Sequence, residues 1–438
     1  MVQLIHLRML EGFIRQISSL GKKSAASPVP VAVQNVPLTD KEILSAGKNV
    51  PIIKLVDSIV QQGYLSKASD IHIDPEAEGV RVRMRIDGIL HDTIMLSKEL
   101  HSEIITRLKV LSGLRTDEHQ MALDGRFRVI IQDGMPVDVR LSIAPTYYGE
   151  NAVMRILAKQ AEDFTLEKLG LSPMNYERVL RAIRKPYGMI LATGPTGSGK
   201  TSTLYTIIKT LNKPEVSIVT IEDPIEYSLE GVEQIQVNPR TGLTFADGLR
   251  SILRQDPNIV MVGEIRDQET AGIAVNAALT GHLLLSTIHT NDAVTTLPRL
   301  TDMKIEPFLI VSTVNVAIGQ RLVRRVCQNC KEKYILSPAE LKSLSLVISA
   351  KLLDGHQEFY RGKGCEQCDG SGYHGRLGIH EVLEMSEAVQ DAVIKRLDAG
   401  EIQKIAIREG MKTMLEDGFD KALQGMTTIE EILRVTHE

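Results

Sequence analysis

Apolar and polar positions change period several times along the chain. Near the start, Leu7, Leu10, Ile14 and Ile17 recur every three or four residues, with Phe13 and Leu20 alongside and Arg8, Glu11 and Arg15 between them. That period predicts an amphipathic helix over 3–20. Two readings of it stand: a helix packed on its own protein, or one that docks on a membrane-bound partner. "GKKSAASPVPVAVQNVP" follows and reads as a linker, 21–45. From Val50, "NVPIIKLVDSIVQQGYLSKA" is again helical in period. "SDIHIDPEAEGVRVRMRIDGIL" then alternates in two runs around Pro75 and Gly79, a β-hairpin signal. "GRFRVIIQDGMPVDVRLSIAP" alternates as well, around the turn pair Asp133-Gly134. Residues 46–160 therefore predict an α+β domain.

Downstream the alternation gives way to short, continuous apolar runs, each ending in polar residues. They are Met189–Ala192, "VSIVTIEDPIEY" (Val216–Tyr227), "NIVMVGEIRD" (Asn258–Asp267) and "GHLLLSTIHTNDA" (Gly281–Ala293). Such runs are the mark of parallel strands buried on both faces, with helices between them. The last stretch, from "HGRLGIHEVLE" to "IEEILRVT", reads as helical throughout, with Thr427-Thr428-x-x-Glu431 close to a capping box.

The first of these runs leads into Gly194-Pro195-Thr196-Gly197-Ser198-Gly199-Lys200-Thr201-Ser202 and then a helical pattern. This is a P-loop in its required strand–loop–helix setting. Its glycines let backbone N–H groups wrap a phosphate chain, and the helix N-terminus adds partial positive charge there. Lys200 is suited to the β- and γ-phosphates of ATP, and the Thr201 hydroxyl to Mg²⁺. In many ATP-hydrolysing proteins a second strand ends in an aspartate and a glutamate. Here Gly263 precedes Glu264 and the aspartate is missing. Glu264 is suited to orient or deprotonate a water. Mg²⁺ then needs another acid or waters, and Glu222, Asp223 and Glu226 offer themselves at the end of the preceding strand; a surface charge cluster is the plain alternative. His282 and His289 flank the next run. His289 is a candidate γ-phosphate sensor, while a lone His beside a core strand is more often structural.

Four cysteines are all the chain has: Cys327-x-x-Cys330 and, 34 residues on, Cys365-x-x-Cys368. Two such knuckles read as a closed structural Zn²⁺ site with no open position for catalysis. Disulfides or free thiols are the alternatives.

Composition limits what else this can be. The chain has 438 residues, 43% hydrophobic and 24% charged, with no Trp. That is enough for two to four domains in an ordinary globular class. No apolar run reaches the ~18 residues of a membrane span, and no signal-peptide pattern is present. These features predict a cytoplasmic protein. A net charge of −4 with no basic run counts against a nucleic-acid surface.

Taken together, these stretches resemble the secretion ATPases of type II secretion and type IV pilus assembly. "GPTGSGKT" is similar to that family's P-loop, "TIEDPIEY" to its Asp box, and "LRSILRQDPNIVMVGEIRD" to its Walker B region, where glycine normally precedes the glutamate. "TGHLLLSTIHTNDA" is similar to its His box, and "SDIHIDP" with "RMRIDG" to its second N-terminal domain. The resemblance implies a RecA-like P-loop ATPase domain (α/β; 161–438) behind a PAS-like α+β domain. It divides the ATPase domain into a core (161–322), a tetracysteine zinc subdomain (323–376) and a helical subdomain (377–438). It implies ATP, Mg²⁺ and Zn²⁺ as cofactors and Glu264 as the catalytic glutamate, with Glu222 and His289 in the catalytic set. Glu226 and His282 fall in the nucleotide set. It implies a homo-hexamer in which Arg140 and Arg155 reach ATP phosphates and Arg250 and Arg254 flank the site. The expected partner is a polytopic inner-membrane platform protein, with a membrane-associated adaptor as a further partner for the N-terminal segment. The expected location is the cytoplasmic face of the inner membrane. Departures are the short N-terminal region, "LDGR" for Gln-Asp-Gly-Arg, and His380 where relatives usually have tyrosine. A nucleic-acid translocase and a non-catalytic ATP-sensing scaffold are the competing readings.

Overall fold

The computed structural model describes residues 31–32, 51–131, 134–157, 165–336 and 358–436. The N-terminal amphipathic helix expected over 3–20 lies outside them, as does Asp133. The chain divides into two compact units, 1–159 and 160–438.

Among the described residues the first unit is a seven-stranded sheet with two helices. A two-residue strand, β1 (Val31–Ala32), lies inside the stretch read as linker and pairs in parallel with Val129 and Ile130. Val31 is β-branched, which suits a strand. Helix α1 (Ile52–Leu65) is followed by β2 (Asp70–Pro75), β3 (Gly79–Ile86), β4 (Ile89–Ser97), α2 (His101–Leu111), β5 (Leu123–Ile130), β6 (Pro136–Thr146) and β7 (Gly149–Leu157). The order across the sheet is β1-β5-β6-β7-β2-β3-β4. Alternation along the strands puts Ile71, Val82, Phe127, Leu141 and Met154 into one core with Leu55, Ile59, Ile104 and Leu108 of the helices. The opposite positions carry the arginines. Pairing sets Arg126 opposite Arg140, Arg140 opposite Arg155, Arg155 opposite Asp70 and Asp70 opposite Arg85. Buried Asp70 accepts from Arg155 Nε at 2.9 Å.

The second unit is doubly wound. Helix α3 (Pro173–Ile183) leads to β8 (Gly188–Thr193), α4 (Lys200–Leu211), β9 (Ile218–Glu222), β10 (Glu233–Gln236), α5 (Phe245–Ile252), β11 (Ile259–Val262), α6 (Gln268–Leu279) and β12 (Leu283–Ile288). Then come α7 (Thr296–Asp302), α8 (Pro307–Thr313) and the long β13 (Val314–Val326). The sheet order is β10-β9-β11-β12-β8-β13-β16, parallel except where β13 meets β16 (Tyr373–Glu384). Every residue of β8, β9, β11 and β12 is buried, as strands covered by helices on both faces require.

Residues 374–384, expected to start a helical tail, instead lie in β16, paired antiparallel to β13 along its length. Leu377, Ile379, Val382 and Leu383 are buried; a short apolar run of this kind fits either period, and sheet pairing decides. Strand β13 also runs through residue 322, where the core was expected to end. The cysteine subdomain is thus an insertion between two core strands, built on the small sheet β14 (Lys331–Ile335) and β15 (Glu358–Gly362). Helices α9 (Glu387–Ile394), α10 (Ala399–Arg408), α11 (Met414–Leu423) and α12 (Ile429–Thr436) complete the unit. At α12 only half of the capping box forms. Thr428 Oγ1 accepts from the Glu431 N–H at 3.3 Å, while the Glu431 carboxylate turns instead to Arg324 and Arg434.

Candidate active site

Strands β8, β11 and β12 lie side by side and in parallel, so their C-terminal ends form one edge, where ligands of such sheets bind. The P-loop leaves β8 at that edge. Gly194, Gly197 and Gly199 all have positive φ (142°, 79° and 88°), and Lys200 opens α4. Pro195 to Gly197 are exposed at the tip, Ser198 is buried, and Lys200, Thr201 and Ser202 are half-buried. Lys200 Nζ donates to the Gly194 and Pro195 carbonyls at 2.8 and 3.0 Å, so the side chain curls over its own loop. Burial lowers the Lys200 pKa; the Glu264 carboxylate opposes that shift and Arg321 adds to it. A cation held partly desolvated inside a ring of backbone amides fits a phosphate chain, and the buried Ser198 hydroxyl has no partner among the described residues.

Glu264 stands just past β11. It is 9% exposed. One oxygen is held by Arg266 and the other by His289 Nε2 at 2.9 Å. Both partners are more than half exposed, so the carboxylate meets solvent through them. His289 reaches it because β12 ends beside β11. Thr290, the next residue, is tied to the end of β8: its N–H donates to Thr193 Oγ1 at 3.0 Å, and Thr193 Oγ1 donates to its carbonyl at 2.7 Å. The P-loop, Glu264 and His289 are thereby fixed to adjacent strand ends.

Glu222 ends β9 in a different setting. Tyr205 of α4 donates to one carboxylate oxygen; Thr220 Oγ1 at 2.6 Å and Gln234 Nε2 at 3.1 Å donate to the other. Burial raises its pKa against these three bonds. Both oxygens are engaged, so the expectation that Glu222 serves the chemistry directly is not what its contacts favour. Asp223 is exposed and Glu226 half-buried on the loop that follows.

His282 does not join the site. It precedes β12, and its carbonyl bonds Gly188 at the start of β8, while Ile288 pairs with Thr193 at the other end. Six strand steps of ~3.3 Å put it roughly 20 Å from the P-loop edge. Its Nδ1 bonds the Ala277 carbonyl at 3.0 Å, which makes it a helix-end fastener. Arg250 pairs with Glu269 at 2.6 Å and Asp247 at 3.4 Å on the exposed face of α5 and α6, and Arg254 bonds the Arg250 carbonyl. Arg140 and Arg155 belong to the sheet of the first unit. Arg266, Gln320, Tyr205 and Gln234 were not singled out from the sequence, and only Arg266, two residues past Glu264, carried a local signal.

The four cysteine sulfurs lie within 4.8 Å of one another. Cys327–Cys365 and Cys330–Cys368 are 3.8 Å apart and Cys365–Cys368 3.6 Å. A tetrahedron of ~2.3 Å Zn–S bonds has edges of about 3.8 Å, so the donor set fits Zn²⁺. N–H groups of Cys365 and Gly372 point at Cys368 Sγ (3.2 and 3.3 Å), as thiolate ligands favour. Gly362 and Gly372 pass so closely that a Cβ on either would strike the other's backbone.

A P-loop beside a strand-end glutamate, on a doubly wound parallel sheet, defines an ATPase of the RecA-like kind. The chain belongs to the type II/IV secretion system protein family, whose model matches residues 45–434. It is 48% identical over 385 residues to the type IV pilus assembly ATPase PilB of Thermus thermophilus, covering 88% of this chain and 43% of that protein. It is 44% identical over 399 residues to the type II secretion system ATPase E of Vibrio cholerae, covering 91% and 78%. This chain thus spans less than half of the first relative and over three quarters of the second. Among solved structures, the pilus retraction motor PilT with bound ADP matches with a TM-score of 0.59 at 25% identity, covering 86% of this chain and 95% of that one. The ATPase DotB of Legionella pneumophila matches in fold, with a TM-score of 0.65 at 21% identity over 93% and 99%. ATP hydrolysis is the activity of this class.

Proposed function

We propose that the chain is a subunit of a homo-hexameric motor at the cytoplasmic face of the inner membrane. It hydrolyses ATP to drive assembly of a type IV pilus or a type II secretion pseudopilus through a polytopic platform protein. The observation that carries this reading is the convergence of Lys200, Glu264 and His289 on one sheet edge in a chain of this family. Among the described residues no helix is long and apolar enough to cross a membrane.

The residues divide the work as follows. The backbone of Gly194–Gly199 and Lys200 cradle the phosphates, and Lys200 leaves its own carbonyls to do so. The Thr201 hydroxyl would hold Mg²⁺, which would supply positive charge to the bound triphosphate. Glu264 orients the attacking water and accepts its proton, with His289 and Arg266 fixing the carboxylate. Arg140 and Arg155 reach ATP phosphates and Arg250 and Arg254 flank the site, so guanidinium charge offsets the charge that develops on the transferred phosphoryl group. Zn²⁺ at the four cysteines is structural, and elemental analysis should find one zinc per chain, lost in Cys365→Ser.

The test uses cells whose only copy carries Glu264→Gln. Surface filaments are counted by electron microscopy and exported proteins followed in the supernatant. Loss of filaments identifies a pilus motor. Intact filaments with missing exported proteins identify a secretion motor. No change in either contradicts the proposal.

A further inference from the structure

We propose that Gln320, on β13, is a positioning residue that clamps the P-loop in its phosphate-ready shape from outside the motif. β13 pairs with β8 up to Gly319 opposite Thr193, so Gln320 falls beside the first loop residue. Its side chain is 3% exposed. Nε2 donates to the Ser198 carbonyl at 2.9 Å, and Oε1 accepts from Thr203 Oγ1 of α4 at 2.7 Å. Its backbone closes the other arm: a Cβ on Gly194 would collide with the Gln320 carbonyl, and one on Gly199 would stand 2.7 Å from Nε2. One residue therefore touches the start of the loop, its end and the helix it feeds.

The chemistry needs an amide. A carboxylate keeps an acceptor for Thr203 but cannot donate to Ser198; a thioether of similar length cannot donate and accepts only weakly. The Ser198 N–H bonds the Pro195 carbonyl at 3.3 Å, and Gln320 holds the carbonyl on the other side of that residue at 2.9 Å, while the Ser198 hydroxyl has no partner among the described residues. The plane of the peptide that carries this carbonyl sets whether the following N–H groups point into the cradle. A loop that samples its competent shape only part of the time binds more weakly by that fraction. Gln320 thus raises affinity for the triphosphate without touching it. This inference rests on the ATP reading above.

The experiment uses the full chain as Gln320→Met, Gln320→Glu and an Ile207→Val control, which loosens the buried face of α4 away from the loop. A fluorescent ATP analogue gives Kd, steady-state hydrolysis gives KM and kcat, and melting without nucleotide reports stability. The expected result is a Kd and KM about tenfold higher in Gln320→Met and at least as high in Gln320→Glu. kcat at saturation should stay within about threefold, and Ile207→Val should bind like the parent despite a lower Tm. Thr203→Val added to Gln320→Met should weaken binding no further. Parent-like affinity in both Gln320 variants would overturn the inference, as would weakening by Ile207→Val in equal measure. If Gln320→Met does not fold, Gln320→Glu decides the question alone. If the parent chain itself fails to bind the analogue, the ATP reading fails instead.

Discussion

Glu222 and Glu264 end neighbouring strands of one sheet, β9 and β11, and both are buried, yet they live in opposite chemical settings. Glu222 is enclosed: a phenol, a hydroxyl and an amide use both oxygens, and burial pushes its pKa up. Glu264 is held by an arginine and a histidine whose side chains are 62% and 52% exposed. A carboxylate with both oxygens engaged by enclosed donors holds structure together. One whose partners are solvent-facing can exchange them for a water. Sequence treats the two alike, as acids at the ends of apolar runs, and the difference lies in what packs beside them.

The sharpest way to break the comparison is Glu264→Gln. The amide keeps the shape and loses the basicity, so steady-state hydrolysis should fall 10²–10⁴-fold, with ATP affinity and melting temperature close to the parent. A lesser effect is expected at a third buried glutamate, Glu381, whose pKa is raised to about 7 by burial first and by Asp292 second. Its folded pKa lies above the ordinary 4.5, so the native state binds the extra proton and stability falls as pH rises from about 5 through 7. The ceiling is about 3 kcal/mol. Melting followed from pH 5 to 8 should show this slope, and Glu381→Gln should flatten it. Next comes Tyr205→Phe, which strips one donor from Glu222 and should cost about 1–3 kcal/mol of stability while hydrolysis at saturating ATP stays within about threefold. Denaturant unfolding alongside a phosphate-release assay checks both halves. The smallest effect is expected from His289→Gln. It acts through Glu264, and Arg266 still holds the carboxylate, so kcat should drop by about tenfold with Kd unchanged.

Much of this was legible in the chain itself. The P-loop, the four buried strands and the cysteine knuckles are local patterns whose spacing fixes their geometry. Other features depend on partners distant in sequence. Gln320 meets Ser198 across 122 positions and Thr290 meets Thr193 across 97, and neither pair leaves a periodic trace. β16 was misread because "LGIHEVLE" satisfies both helix and strand spacing until β13 lies alongside it. His282 was placed in the site because a flanking histidine looks the same at either end of a strand; only the parallel register shows that it marks the wrong end. His380 is fully buried beside Lys421 and Asp417, and burial holds its pKa well below the ordinary value, so it is a neutral core residue.

The most direct test is a quench-flow measurement of ATP cleaved per site in the first turnover, made side by side on Glu264→Gln and Glu222→Gln at saturating ATP. The account predicts almost no cleavage for Glu264→Gln. For Glu222→Gln it predicts a first turnover within about tenfold of the parent, together with a lowered melting temperature. Cleavage lost in Glu222→Gln and retained in Glu264→Gln would contradict it.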